Sequence, residues 1–355
     1  MSRGASQESS RRSAVAGRRA AKANPESADC PVMTESPNIE PHEPQQRADT
    51  MKPEASPDTA AEDPIARLEA LTLKRPVPVL PRGTTELFVA LGDPALSFDV
   101  LTERLAVFPS IVARLLALAN SPWSSPVAPV ATLDDAVSRL GLDIVRSVAV
   151  ALLVSNTFDA NRCRRFDPRL YWCSALLSAE CASLLAASAR PAAPLSTPLP
   201  TPLPPATART AGLINNLGLL WLADALPAET DDALEAVAAD PALSVSAALI
   251  SVCGVSDGNA GEALGKAWNL PAALTAAMSG RAAPGACHEV LYCVRLIRCV
   301  HAIVASALDD SALAVDDILL QQLGLNVTGT ETIRAELVAM LPELNQLAAE
   351  LLEGT

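Results

Sequence analysis

From Leu142 to Phe158 the chain is apolar almost all the way round, and Asp143 and Arg146 are its only charged residues there. A helix of that length without a polar face has to be covered on every side. The stretch predicts a central buried helix, and the rest of the chain must supply the helices that wrap it. The composition can do so. Half of the residues are apolar, mostly Ala and Leu, and only eleven are aromatic (four Trp, two Tyr, five Phe). Ala and Leu are strong helix formers. No stretch alternates apolar and polar residues at strand period for a useful length. The expected fold class is therefore all-α, a multi-helix bundle with a disordered N-terminal tail.

Starts and stops are legible along the chain. Order should begin near Pro64, after which Pro76, Pro78 and Pro81 force an extended approach. Thr84–Leu91 reads as a short helix, and Ser97 caps another that runs to Val107. Pro109 opens a helix through Asn120, where Asn is expected to adopt the left-handed conformation that ends it. Thr132 caps a helix that stops at Gly141, and Pro168 starts a long one to about Ser188. Helices then run over Ala206–Ala225, Asp231–Ala239, Ser244–Cys253, Gly258–Trp268, Pro271–Ser279, His288–Leu308, Asp316–Leu323 and Thr330–Leu352. The organisation expected is a tail over 1–63, a helical domain over 64–310 and C-terminal helices over 311–355 that pack on it. A Pro-rich insertion over 190–206 reads as a polyproline-like surface loop.

Charge narrows the function classes. Residues 1–22 hold six basic residues and one acid, residues 23–64 hold ten acids and two bases, and the whole chain carries −13. Residues 1–63 contain no aromatic and cannot bury enough apolar surface to offset the entropy of ordering. An acidic body argues against a nucleic-acid partner, which needs a clustered basic face. The eight cysteines are scattered without a C-x-x-C pair, so they read as reduced thiols of a cytoplasmic protein. No run of about 18–20 residues free of charges and breakers predicts a transmembrane segment.

Chemistry is sparse. Of the three histidines, His42 lies in the tail, and His288 and His301 share one predicted helix. They stand about 140° apart around its axis and about 20 Å along it, so they cannot share a metal. His288-Glu289 begins like H-E-x-x-H, but Tyr292 ends the match. There is no G-x-S-x-G, and Gly261–Lys266 lacks the glycine spacing of a phosphate loop. No cofactor is expected.

Several segments together resemble the HDOD domain, the HD-related output domain of bacterial signalling proteins. Pro78-Val79-Leu80-Pro81 looks like its opening motif. Leu118-Ala119-Asn120-Ser121-Pro122 matches its L-A-N-S turn, and Ala136–Gly141 its A-(I/V)-x-x-L-G helix. Trp268-Asn269-Leu270-Pro271 resembles its W-x-L-P turn. Gly212-Leu213-Ile214-Asn215-Asn216-Leu217-Gly218 stands at its G-L-L-H-D-I-G position. The resemblance covers roughly residues 74–305. It implies an all-α bundle with a role in bacterial signal output.

The departures matter as much. Asn215 and Asn216 replace His-Asp, Gly254–Asp257 stands where a His often occurs, and Met278-Ser279-Gly280 replaces a His pair. Amides are poor transition-metal ligands and cannot act as general bases near neutral pH. The expectation is a non-catalytic regulatory protein that binds another signalling protein, with its oligomeric state open. Asn215, Asn216, Asp257, Asn120 and Trp123 are the candidates for a vestigial pocket or a partner-binding surface. Two alternatives stay open: a divergent metal-dependent phosphohydrolase using Asp224, Asp257 or Glu262, and a nucleotide sensor without turnover.

Overall fold

The computed structural model describes residues 63–80, 83–91, 93, 95–124, 128–155, 157–190, 203–240 and 242–352. The expectations for the tail through residue 62, for His42 and for residues 191–202 of the Pro-rich insertion lie outside them. The described residues belong to one unit, Thr59–Thr355. They form sixteen α-helices and two short 3-10 turns, with no strand among them.

The apolar stretch that begins at Leu142 lies at the centre. Residues 145–154 of α6 (Leu142–Ser155) are all buried, Arg146 included. A buried guanidinium needs acceptors. Arg146 donates to the carbonyls of Asp93 at 3.1 Å and Leu96 at 3.4 Å. Burial pushes its pKa down, and nearby Asp143 opposes this.

Five helices precede α6 in the chain: α1 (Pro64–Leu71), α2 (Thr84–Leu91), α3 (Phe98–Ala106), α4 (Pro109–Ala119) and α5 (Leu133–Leu140). Ser97 and Thr132 cap α3 and α5 through their side chains, as their positions predict. Asn120 ends α4 by a different route from the one expected. Its φ is −102°, an ordinary right-handed value. Its amide instead clamps a distant strand of loop: Nδ2 donates to Leu116 O and Val130 O, and Oδ1 accepts from Val130 N at 2.7 Å. The side chain substitutes for backbone pairing across the turn.

Beyond α6 come α7 (Pro168–Ser188), α8 (Pro205–Ile214), α9 (Leu217–Ala225), α10 (Pro227–Ala239), α11 (Val245–Cys253) and α12 (Asp257–Ala267). The chain closes with α13 (Ala272–Ser279), α14 (His288–Leu308), α15 (Asp317–Leu323) and α16 (Val327–Leu352). α7 lies along α8 and α16, and α14 packs on α7, α13 and α16. α7 and α14, each 21 residues, are long and apolar enough to cross a membrane by length and composition, a match the sequence reading had not made. Most of each is buried against neighbouring helices.

Three boundaries differ from expectation. α10 starts at Pro227, which serves at the first helical position where its missing N–H costs nothing. α16 starts at Val327 and runs through Pro342. The single helix expected over Ala206–Ala225 breaks into α8 and α9 at Asn215-Asn216.

The motif residues interlock these helices. Trp268 donates its indole N–H to Pro78 O at 2.8 Å, and Thr85 donates to Trp268 O at 3.3 Å. The turn after α12 is thereby tied to the extended approach before α2. Trp123 is half-buried and donates to Glu343 O at 3.2 Å, within α16.

Candidate functional site

The break between α8 and α9 is set by two glycines and one amide. Gly212 and Gly218 flank it. A Cβ at Gly212 would overlap the carbonyl oxygen of Ser178 in α7, and one at Gly218 would overlap that of Asp257 in α12. Each glycine lets its helix approach a neighbour's backbone directly. Between them Asn215 turns its side chain on its own helix. Nδ2 donates to Gly212 O at 2.5 Å, an alternative to the helical ladder. Asn216 then takes φ −98°, ψ 13°, the bridge conformation from which α9 starts.

The two amides differ in surroundings. Asn215 is 5% exposed, and its Oδ1 meets His301 Nε2 of α14 at 2.6 Å. Because Nδ2 is committed to Gly212 O, Oδ1 must be the atom facing the ring, so Nε2 carries the hydrogen and donates. Nδ1 is left as the ring's acceptor. His301 is exposed along one side but crowded by protein on the others. Burial pushes its pKa below the ordinary imidazole range, and the charge of Asp257 opposes this. Asp257, half-buried at the start of α12, accepts from the Ser246 hydroxyl of α11. Asn216 is half-buried, and its side chain has no hydrogen-bond partner among the described residues.

Of the five candidates, the structure brings Asn215 and Asp257 to His301, and Asn216 follows Asn215 in the break without a hydrogen bond to the ring among the described residues. Asn120 and Trp123 lie apart, holding the turn after α4 to Val130 and to α16. His301 is the member that sequence reasoning missed. It was weighed only against His288, and its partner lies 86 residues away on another helix.

The other carboxylates proposed as ligands are engaged with cations. Asp224 meets Arg75 Nη1 at 2.5 Å and accepts from Arg162 Nη1 at its backbone oxygen, 2.6 Å. Glu262 is paired with Lys266 at 2.6 Å and Arg281 at 3.2 Å. A carboxylate neutralised twice is a weak ligand for a further cation. Among the described residues no group of three or more His, Cys, Asp or Glu could hold a metal ion. The donor set around Asn215, two amides, one imidazole and a hydroxyl-bonded carboxylate, does not fit a hydrolytic metal centre.

Helices wrapped on a buried central helix, with Asn and Trp side chains locking the turns, define a helical scaffold of the HD-related kind. The chain belongs to the HDOD domain family, whose sequence profile matches residues 77–284. No curated protein is similar enough to match the chain. Among solved structures it resembles a candidate signal transduction protein from Marinobacter aquaeolei VT8 (TM-score 0.67, 20% identity, 81% of this chain and 65% of that one). It thus spans about two thirds of that protein's length. It also resembles an HDOD domain protein of unknown function from Geobacter sulfurreducens (TM-score 0.58, 21% identity, 81% and 99%). A third is a candidate phosphohydrolase from Shewanella amazonensis SB2B (TM-score 0.55, 22% identity, 81% and 98%). Likenesses at this identity establish the fold.

Proposed function

We propose that this chain is a non-catalytic signal-transduction protein that acts by binding another protein on its HDOD scaffold. The observation that carries this reading is the Asn215–His301 pair. Where the family pattern has His-Asp, an amide is held by two hydrogen bonds, one of them to Nε2 of His301. Among the described residues no hydrogen bond engages Nδ1 of His301. The framework around this position is complete, from the glycine contacts of α8 and α9 to the Trp268–Pro78 lock. A preserved framework around a site poor in metal ligands suits recognition better than hydrolysis. An enzyme built on Asp224 or Glu262 would need these to leave their cationic partners, and one built on Asp257 would need it to leave the Ser246 hydroxyl.

The test uses the purified full chain. Affinity capture from bacterial lysate, followed by reconstitution with each identified protein, should give one partner that binds reversibly at fixed stoichiometry. The same preparation should hydrolyse neither cyclic nucleotides nor phosphate monoesters. Turnover that responds to added divalent metal would contradict the proposal.

A further inference from the structure

A groove of about 1110 Å³ runs between α2 and α3 on one side and α8, α13 and the Asn269–Pro271 turn on the other. It lies apart from the Asn215 site. Its floor is backed by the buried side chains Phe88, Leu96, Leu270 and Leu274, and its accessible apolar surface comes from Val89 and Val100. Glu86, Val100 and Arg104 also line a smaller groove of about 380 Å³ that continues it toward Val107 and Phe108. Val89, Val100 and Val107 stand 51%, 38% and 71% exposed along this surface. Aliphatic exposure of this continuity marks an interaction face.

The charges around it have one sign in excess. Among the described residues, Glu86, Asp93, Glu103 and Glu289 line the two grooves against Arg104. None of the five forms an ion pair with another described residue. Some carboxylates elsewhere are paired with cations, as at Asp224, Glu180 and Glu262, whereas those at the groove edge are left to a partner. An apolar floor with unneutralised carboxylates at its edge is complementary to an apolar segment flanked by Lys or Arg.

The walls decide the conformation of that segment. They are helices and a turn, which offer no strand edge for β-augmentation. The aromatics of the two linings, Phe88 and Phe108, do not form the exposed aromatic ladder that a polyproline segment needs. Laying an amphipathic helix in the groove satisfies its own backbone and needs only apolar side chains at i, i+3, i+4 and i+7.

We infer that this double groove docks a basic amphipathic helix of another protein, with its apolar stripe against the exposed Val89, Val100 and Val107 and its Lys or Arg residues against Glu86 and Glu289. The inference rests on the reading of the chain as a protein-binding scaffold and assigns the surface and the partner's chemistry.

The probe is a short fluorescein-labelled peptide with Leu at i, i+3, i+4 and i+7 and Lys on its other face, titrated with the full chain and followed by anisotropy. An otherwise identical Leu/Glu peptide is the counter-probe. The wild type should bind the Leu/Lys peptide, more weakly as salt rises, and should leave the Leu/Glu peptide unbound. E86K/E289K should weaken Leu/Lys binding by about tenfold or more. D134K/E336K, which reverses two exposed carboxylates away from the groove, should leave it unchanged. Circular dichroism confirms that each variant is folded. No binding by the wild type overturns the inference, as does equal weakening by the two double variants, which would mean that net charge alone attracts the peptide. Self-association that disappears in E86K/E289K would assign the groove to a second copy of this chain and equally overturn it. The peptide reads the groove alone, so its failure leaves the scaffold reading standing, and a failed partner capture leaves the peptide result intact.

Discussion

Replacing Asn215 and Asn216 one at a time with Ala separates a structural amide from a spare one. In Asn215→Ala the buried Gly212 carbonyl loses its side-chain donor at 2.5 Å, a loss of about 1–2 kcal/mol in a buried setting. Water can reach the exposed side of His301 and replace the bond at Nε2, so that loss adds little. The small cavity left behind adds up to about 1 kcal/mol. The better helix propensity of Ala returns about 0.6 kcal/mol. The expected net cost is about 2 kcal/mol. Asn216→Ala removes a half-buried side chain with no partner and should change stability by no more than about 0.5 kcal/mol. Urea unfolding at neutral pH, followed by circular dichroism, gives both values on one scale. Equal costs, or a larger cost at Asn216, would refute the argument that of the two amides Asn215 is the one that holds the break between α8 and α9.

Three further outcomes follow. The folded-state pKa of His301 is lowered by burial, so its neutral form stabilises the fold above the unfolded pKa of about 6.5. That contribution is lost as pH falls through 6.5 toward the lowered folded value; the stability of wild type relative to His301→Gln should decline across that window, and a flat difference would exclude the effect. Glu180→Ala leaves the buried Arg209 guanidinium with only Asp143 at 3.6 Å, which should cost about 3 kcal/mol in the same unfolding assay. Alkylation of the native protein at pH 8 should modify the exposed Cys287 quickly. It should spare Cys293 and Cys299, whose thiols burial pushes up to about 12, and mass spectrometry of timed samples reads the order.

Much of the fold was legible because helices announce themselves locally. The run from Leu142 to Phe158 reads as a covered helix; α6 ends at Ser155, short of that bound, and residues 145–154 are buried. Ser97, Thr132 and Gly141 mark boundaries by side-chain capping or by positive φ, which neighbouring residues alone decide. The errors came where tertiary contacts decide. Nothing within Ala206–Ala225 signals a break, because it depends on Ser178 and Asp257 lying against Gly212 and Gly218. Asn120 was given the right position and the wrong reason, since its partner Val130 lies across a loop. The sequence drew attention to Asn215-Asn216 through the resemblance, and the structure puts a helix break at these two residues. That His301 is the residue bonded to Asn215 follows only from the packing of α14 on α8.

The metal content of the purified full chain tests the central claim most directly. Elemental analysis after growth with added manganese, iron and zinc, and after gel filtration without chelator, should find well below one metal ion per chain, as a site of two amides and one imidazole predicts. One or two ions per chain, lost on Asn215→Ala or His301→Gln, would contradict the account and make this site a metal centre.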